Sequence, residues 1–131
     1  MPYLIDTNIA IHAREGAASV LAKLAENMGA ARLSALSLAE LQRGLYKDPA
    51  VTTIRRNRLD ALLRIVPVLP FDAAAAEAYG QIIAACGWVK GRDYDRMIAA
   101  HAIATKSVLV TNNGDDFRDI PGLTIENWAT R

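Results

Sequence analysis

Short apolar runs alternate with stretches of helical spacing along the whole chain. Tyr3-Leu4-Ile5 reads as a brief buried strand, and Arg32-Leu33-Ser34, Val68-Leu69 and residues 107–111 and 123–126 read as four more. Between them the 3.6-residue period predicts helices. One covers 7–14, and a second, over 17–27, carries Val20, Leu21 and Leu24 on one face before Gly29 stops it. A helix over 37–45 has the stripe Leu38, Leu41 and Leu45, and Ser37-Leu38-Ala39-Glu40 matches a capping box at its start. After Asp48-Pro49, a basic helix over 51–65 has Ile54, Leu59, Leu62 and Leu63 as its expected core face. Asp72 caps an alanine-rich helix over 73–86, and a last helix runs over 96–105. Pro67 and Pro70 bracket the strand at 68–69, which places it at a sheet edge or at its own start. Strands alternate with helices and no hairpin signal joins successive strands. The pattern therefore predicts an α/β fold with a parallel sheet covered on both faces.

Length adds that residues 1–131 form one domain, and 52% hydrophobic with 22% charged residues makes the chain globular. Cys86 is the only cysteine, which excludes a disulfide framework and fits a reducing compartment. An acid already stands at position 6, so no signal peptide is expected. The longest uncharged stretch, 78–89, is too short to span a bilayer. The expectation is a soluble cytoplasmic protein that does not engage a membrane.

The net charge of +1 is uninformative, but its distribution is not. Between Arg43 and Arg64 the chain carries Arg43, Lys47, Arg55, Arg56, Arg58 and Arg64 against Asp48 and Asp60. After Thr111 the balance reverses, with Asp115, Asp116, Asp119 and Glu126 against Arg118 and Arg131. A basic face apart from an acidic pocket suits a metal-dependent enzyme acting on a phosphate polymer, although a basic run by itself also describes a solvated helix.

The candidate chemistry lies in four acids at the ends of elements. Asp6 follows the first strand, Glu40 lies in the first turn of the 37–45 helix, Asp95 opens the 96–105 helix, and Asp116 follows the 107–111 strand and its turn. Each has a plain alternative: Asp6 as a helix cap, Glu40 as the reciprocal half of its capping box, Asp95 or Asp93 as a cap, Asp116 as a turn residue. Residues beyond the carboxyl ends of parallel strands nevertheless collect at one rim, and four acids meeting there would repel unless a cation lay among them. Oxygen donors without a thiol or imidazole cluster favour Mg²⁺ or Mn²⁺ over zinc. His12 and His101 lack ligand spacing and read as core residues or neighbours of the ligands. No nucleotide-binding glycine loop or nucleophile elbow is present.

Four segments resemble, in order, the motifs of PIN-domain ribonucleases, with the nearest likeness to the VapC-type toxins of bacterial toxin–antitoxin pairs. They are Asp6-Thr7-Asn8, Ser34 with Leu38-Ala39-Glu40-Leu41, Tyr94-Asp95-Arg96-Met97-Ile98-Ala99-Ala100-His101-Ala102, and Val110-Thr111-Asn112-Asn113 with Asp116-Phe117. The resemblance implies a three-layer αβα sandwich with a mostly parallel central sheet. It also implies a Mg²⁺ or Mn²⁺ site with Asp6 and Asp95 as ligands, Glu40 binding directly or through water, and a fourth group near Thr111. Many relatives carry an aspartate where Asn113 stands. Asp116 is therefore expected to serve that position, directly or through water, with Asp115 less suited.

Thr7, Asn8, Thr111, Asn112 and Asn113 are expected to hold the carboxylates in place, and Arg43, Lys47, Lys90, Arg92 and Arg96 to grip RNA. The activity implied is that of a Mg²⁺-dependent endoribonuclease acting on a structured RNA such as a tRNA. The resemblance further implies a homodimer and a cognate antitoxin that covers the site. Rival readings are a PIN nuclease of RNA processing without an antitoxin, a degenerate PIN-like interaction module, and a receiver-like acidic pocket. Asp6 has no adjacent acid and no lysine follows the last core strand, which disfavours the receiver.

Overall fold

The computed structural model describes residues 1–129, so Arg131 of the acidic tail lies outside the described residues. Five strands form one sheet in the order β3-β2-β1-β4-β5: β1 (Tyr3–Ile5), β2 (Ala31–Ser34), β3 (Val68–Leu69), β4 (Val108–Val110) and β5 (Ile125–Glu126). All four pairings are parallel, with Ile5 opposite Leu33 on one side and Val110 on the other. β3 is an edge strand, as its flanking prolines require, and Pro67 still contributes a carbonyl that accepts from the Leu33 N–H.

Successive strand residues point to opposite faces, and the sheet is buried on both. Ile5, Leu33 and Val110 pack under α1 (Thr7–Arg14), α2 (Ala18–Glu26), α3 (Ala35–Tyr46) and α4 (Thr52–Leu63). Leu4 and Leu109 face α5 (Ala73–Cys86) and α6 (Asp93–Ala104), meeting Ile82, Ile98, Ala99 and Ala102. This is the αβα sandwich expected. No helix among the described residues is long and apolar enough to cross a membrane.

Several local expectations fail, among them Leu21, assigned to the apolar face of α2 and 42% exposed. Ser37-Leu38-Ala39-Glu40 does not cap α3. The helix begins at Ala35, where Ser34 at the end of β2 caps it by accepting from the Leu36 N–H at 3.1 Å. Ser37 is buried inside the helix, and Glu40 falls in the second turn. Ile54, assigned to the core face of α4, is 51% exposed, while Leu59 and Leu62 are buried.

Ser34 has a second task, since its hydroxyl lies 2.9 Å from Nδ1 of the buried His101. Burial holds that imidazole below its ordinary pKa, with Asp72 and the Pro70 backbone opposing. The pair ties α3 to α6, so Ser34→Ala removes a helix cap and strands a buried ring nitrogen. We expect it to cost about 1–3 kcal/mol in urea unfolding. A change below half a kilocalorie would show that the contact is not stabilising.

Candidate active site

In the strand order, β1 is flanked by β2 on one side and β4 on the other, and the direction in which successive strands are added reverses there. Crevices at such switch points are where open α/β sheets place ligands. Asp6 occupies this position. Its N–H donates to the Val110 carbonyl at 2.9 Å, which fixes it beside the end of β4. Its carboxylate caps α1 by accepting from the Ile9 N–H at 2.9 Å, and the Thr111 hydroxyl also hydrogen-bonds to it. The cap is real, yet it does not exhaust the residue. Burial to 8% exposure pushes the carboxyl above the ordinary aspartate range, and the charges of Asp95 and Glu40 add to that shift against the two hydrogen bonds.

Glu40 reaches the same place from α3. Its Oε1 accepts from the Thr7 hydroxyl at 2.6 Å, a short bond to a charged acceptor across 33 residues of chain. Thr7 thus holds the Glu40 carboxylate, and the capping-box alternative for Glu40 is excluded.

Asp95 is the third residue of α6, because the helix starts at Asp93, three residues before the predicted start. The structure separates the two acids. Asp93 is held by Tyr79 at 2.8 Å and by the Trp88 indole N–H at 2.9 Å, whereas neither aspartate makes a side-chain cap. Asp95 points instead toward the other carboxylates. Its pKa is raised by burial first, then by Asp116 and Glu40, with Arg92 pulling the other way.

Asp6, Glu40 and Asp95 line one cavity of about 310 Å³, with Thr7, Asn8, Arg43, Lys47 and Asn113. Glu40, Arg43, Gly44 and Lys47 recur at helical spacing and present one face of α3 to it. Ile11, Tyr94, Ile98 and Phe117, none of them expected there from the sequence, complete the lining. The fourth position divides between two residues. Asn113 lines the cavity, its N–H held by the Thr111 hydroxyl at 3.0 Å. Asp116 lies outside the lining, its Oδ1 3.2 Å from Arg92, and still acts on Asp95 through space.

Of the remaining expected residues, Asn112 pairs with His12 at 3.3 Å, and Lys90 is exposed on the loop between α5 and α6. Arg92 is engaged by Asp116. Arg96 is not brought to the cavity: it is 5% exposed and donates to Asp119 at 3.0 Å, so its guanidinium is a buried structural group. Arg43 and Lys47 are the exposed cations at the cavity.

The donors suit a hard divalent cation. The carboxylates come from three separate parts of the chain, two of them carry pKa values raised by burial and by neighbouring acids, and no thiol lines the cavity. As arranged, no three acidic, histidine or cysteine side chains among the described residues converge at direct-ligand distances. Glu40 is turned to Thr7.

Comparison with known proteins agrees with the fold. The PIN domain profile matches residues 3–123. The chain belongs to the PIN-domain family. Within it the chain is of the VapC type. It is 36% identical over 135 residues to Ribonuclease VapC2 of Rickettsia felis, covering 98% of each chain. It is 34% identical to the tRNA(fMet)-specific endonuclease VapC of Shigella flexneri, covering 98% of this chain and 99% of that one. The crystal structure of VapBC2 from Rickettsia felis bound to a DNA fragment from its promoter superposes with a TM-score of 0.87. That match has 33% identity and covers 98% of this chain and 99% of that one.

Proposed function

We propose that this chain is a metal-dependent endoribonuclease, the toxin of a toxin–antitoxin pair, acting on a structured RNA. The observation that carries the reading is the convergence of Asp6, Glu40 and Asp95 on one cavity at the sheet's switch point, in a chain of the VapC type. A relative specific for tRNA(fMet) makes that RNA the first substrate to test.

Asp6 and Asp95 would hold a Mg²⁺ or Mn²⁺ ion, with Glu40 and Asp116 or Asn113 completing its surroundings. When bound, the ion supplies a lowered pKa for a coordinated water and positive charge facing the scissile phosphate. Thr7 keeps the Glu40 carboxylate turned to one side of the cavity, where it can orient the attacking water. Thr111 does the same for Asp6. Arg43 and Lys47 stand one helical turn apart at the rim and would grip backbone phosphates. Water oxygen bonds to phosphorus as the bond to the 3′ oxygen breaks, leaving a 5′-phosphate and a 3′-hydroxyl without a 2′-hydroxyl nucleophile.

An antitoxin would restrain this activity by placing a cationic side chain among the acids, where an ion pair replaces the metal's charge. Solved structures of relatives are complexes of toxin and antitoxin, which supports such a partner here. For a homodimer, α5 offers surface: it buries only Ala75 and Ile82 and leaves Ala73, Ala76, Ala84 and Ala85 exposed.

The test is to incubate the purified chain, freed of any partner, with end-labelled tRNA(fMet) and total RNA, in Mg²⁺ or in EDTA. Discrete cleavage in the Mg²⁺ lane alone is expected. Equal cleavage in EDTA would remove the metal from the mechanism, and folded protein that cuts neither RNA would remove the nuclease reading.

A further inference from the structure

Besides its carboxylates, the acidic cavity has a part without charge, and no step of hydrolysis uses it. Tyr94 lines the cavity from α6, directly before Asp95, and is 41% exposed. Its neighbour Asp93 is held by Tyr79 and Trp88, so the backbone that carries Tyr94 is anchored on its other side. From α3 comes Gly44, one turn after Glu40 and flanked by Arg43 and Lys47. A glycine inside a helix weakens it relative to alanine. At Gly44 no structural demand is visible: a Cβ added there would have no atom within 4 Å, and φ is not positive. What the missing side chain does provide is open space in the cavity between two cations.

We infer that Tyr94 and Gly44 form a nucleobase subsite, in which an unpaired base of the RNA beside the scissile phosphate stacks on the Tyr94 ring and occupies the space over Gly44. The inference rests on the ribonuclease reading and adds to it how the substrate is positioned. An aromatic face next to backbone-gripping cations is how proteins hold single-stranded nucleic acid, since every base has a face to stack. A base seated there brings its phosphate toward Asp6 and Asp95, while Arg43 and Lys47 take the phosphates on either side.

The test uses the whole chain and the same labelled tRNA, in two measurements. Cleavage in Mg²⁺ gives kcat/KM, and fluorescence anisotropy in EDTA gives RNA affinity without turnover. Tyr94→Ala should lower kcat/KM by roughly 5- to 150-fold, the equivalent of about 1–3 kcal/mol, and weaken RNA affinity in EDTA. Tyr94→Phe and Tyr94→Trp should retain both, whereas Tyr94→Leu should behave like the alanine variant. Gly44→Leu should lower kcat/KM while its Tm stays level or rises, because the helix gains a better helix former.

Tyr94→Leu at wild-type activity would overturn the stacking role, leaving only packing. Gly44→Leu at wild-type activity would overturn the slot. A wild-type chain that cuts no RNA fails the nuclease reading itself, before either variant is compared.

Discussion

Asp6→Asn is expected to lower RNA cleavage ~10²–10⁴-fold, the several kcal/mol usual for metal catalysis, without lowering the Tm. Both halves derive from the position of one carboxylate. The side chain caps α1 through the Ile9 N–H, and asparagine caps as well as aspartate, so the helix start survives. What the amide removes is a charge that the fold holds at a cost: Asp6 is almost wholly buried and lies in the field of Asp95 and Glu40. Without bound metal the variant should therefore melt at the wild-type temperature or above it.

Asp6→Ala discriminates further. It loses the cap, at about 0.5–2 kcal/mol, against the same electrostatic relief. Cleavage assays and differential scanning fluorimetry on the three proteins separate the two roles. An inactive Asp6→Asn protein that is also much less stable would mean that the carboxylate serves the fold. A fully active one would remove Asp6 from the chemistry.

How far the sequence announced this arrangement depends on the range of the forces involved. β1, α1 and α5 begin and end where their apolar spacing and caps place them, because Asp6 and Asp72 accept hydrogen bonds three residues ahead, a purely local matter. Ser37-Leu38-Ala39-Glu40 has the local form of a capping box and is not one. β2 runs into α3 with no intervening loop, so Ser34 is already at the cap and Glu40 is free to meet Thr7. The choice between Asp93 and Asp95 is made by Tyr79 and Trp88, partners whose approach depends on how α5 packs against α6.

Arg96 misled for the opposite reason. An arginine beside a candidate ligand reads as a phosphate grip, yet its direction on α6 carries it into the protein toward Asp119. Gly44 and Tyr94 carry no chemical signature at all. Only the shared face of Glu40, Arg43, Gly44 and Lys47 could have pointed to the first of them.

The second large effect couples metal to pH. Asp6 and Asp95 both have folded-state pKa values above those of an unfolded aspartate. A carboxyl of that kind contributes stability below its unfolded pKa, and the contribution is lost as pH rises through the folded value. The metal-free protein is thus progressively burdened by these two groups as pH rises above the ordinary aspartate range. A divalent cation binds the same deprotonated acids, so it should restore what the rise in pH removed.

The expected result is that Mn²⁺ raises the Tm little at pH 4.5 and by several degrees at pH 7.5. At a hundredfold excess over its dissociation constant, the stabilisation is about 2.7 kcal/mol. The difference between the two pH values should shrink in Asp6→Asn, and EDTA should abolish both cleavage and the shift. The measurement is a Tm series from pH 4.5 to 8 with and without the ion. A Tm increment that is flat across that range would mean that the ion binds elsewhere. An increment that survives intact in Asp6→Asn would show that Asp6 is not a ligand, even if its loss stops cleavage.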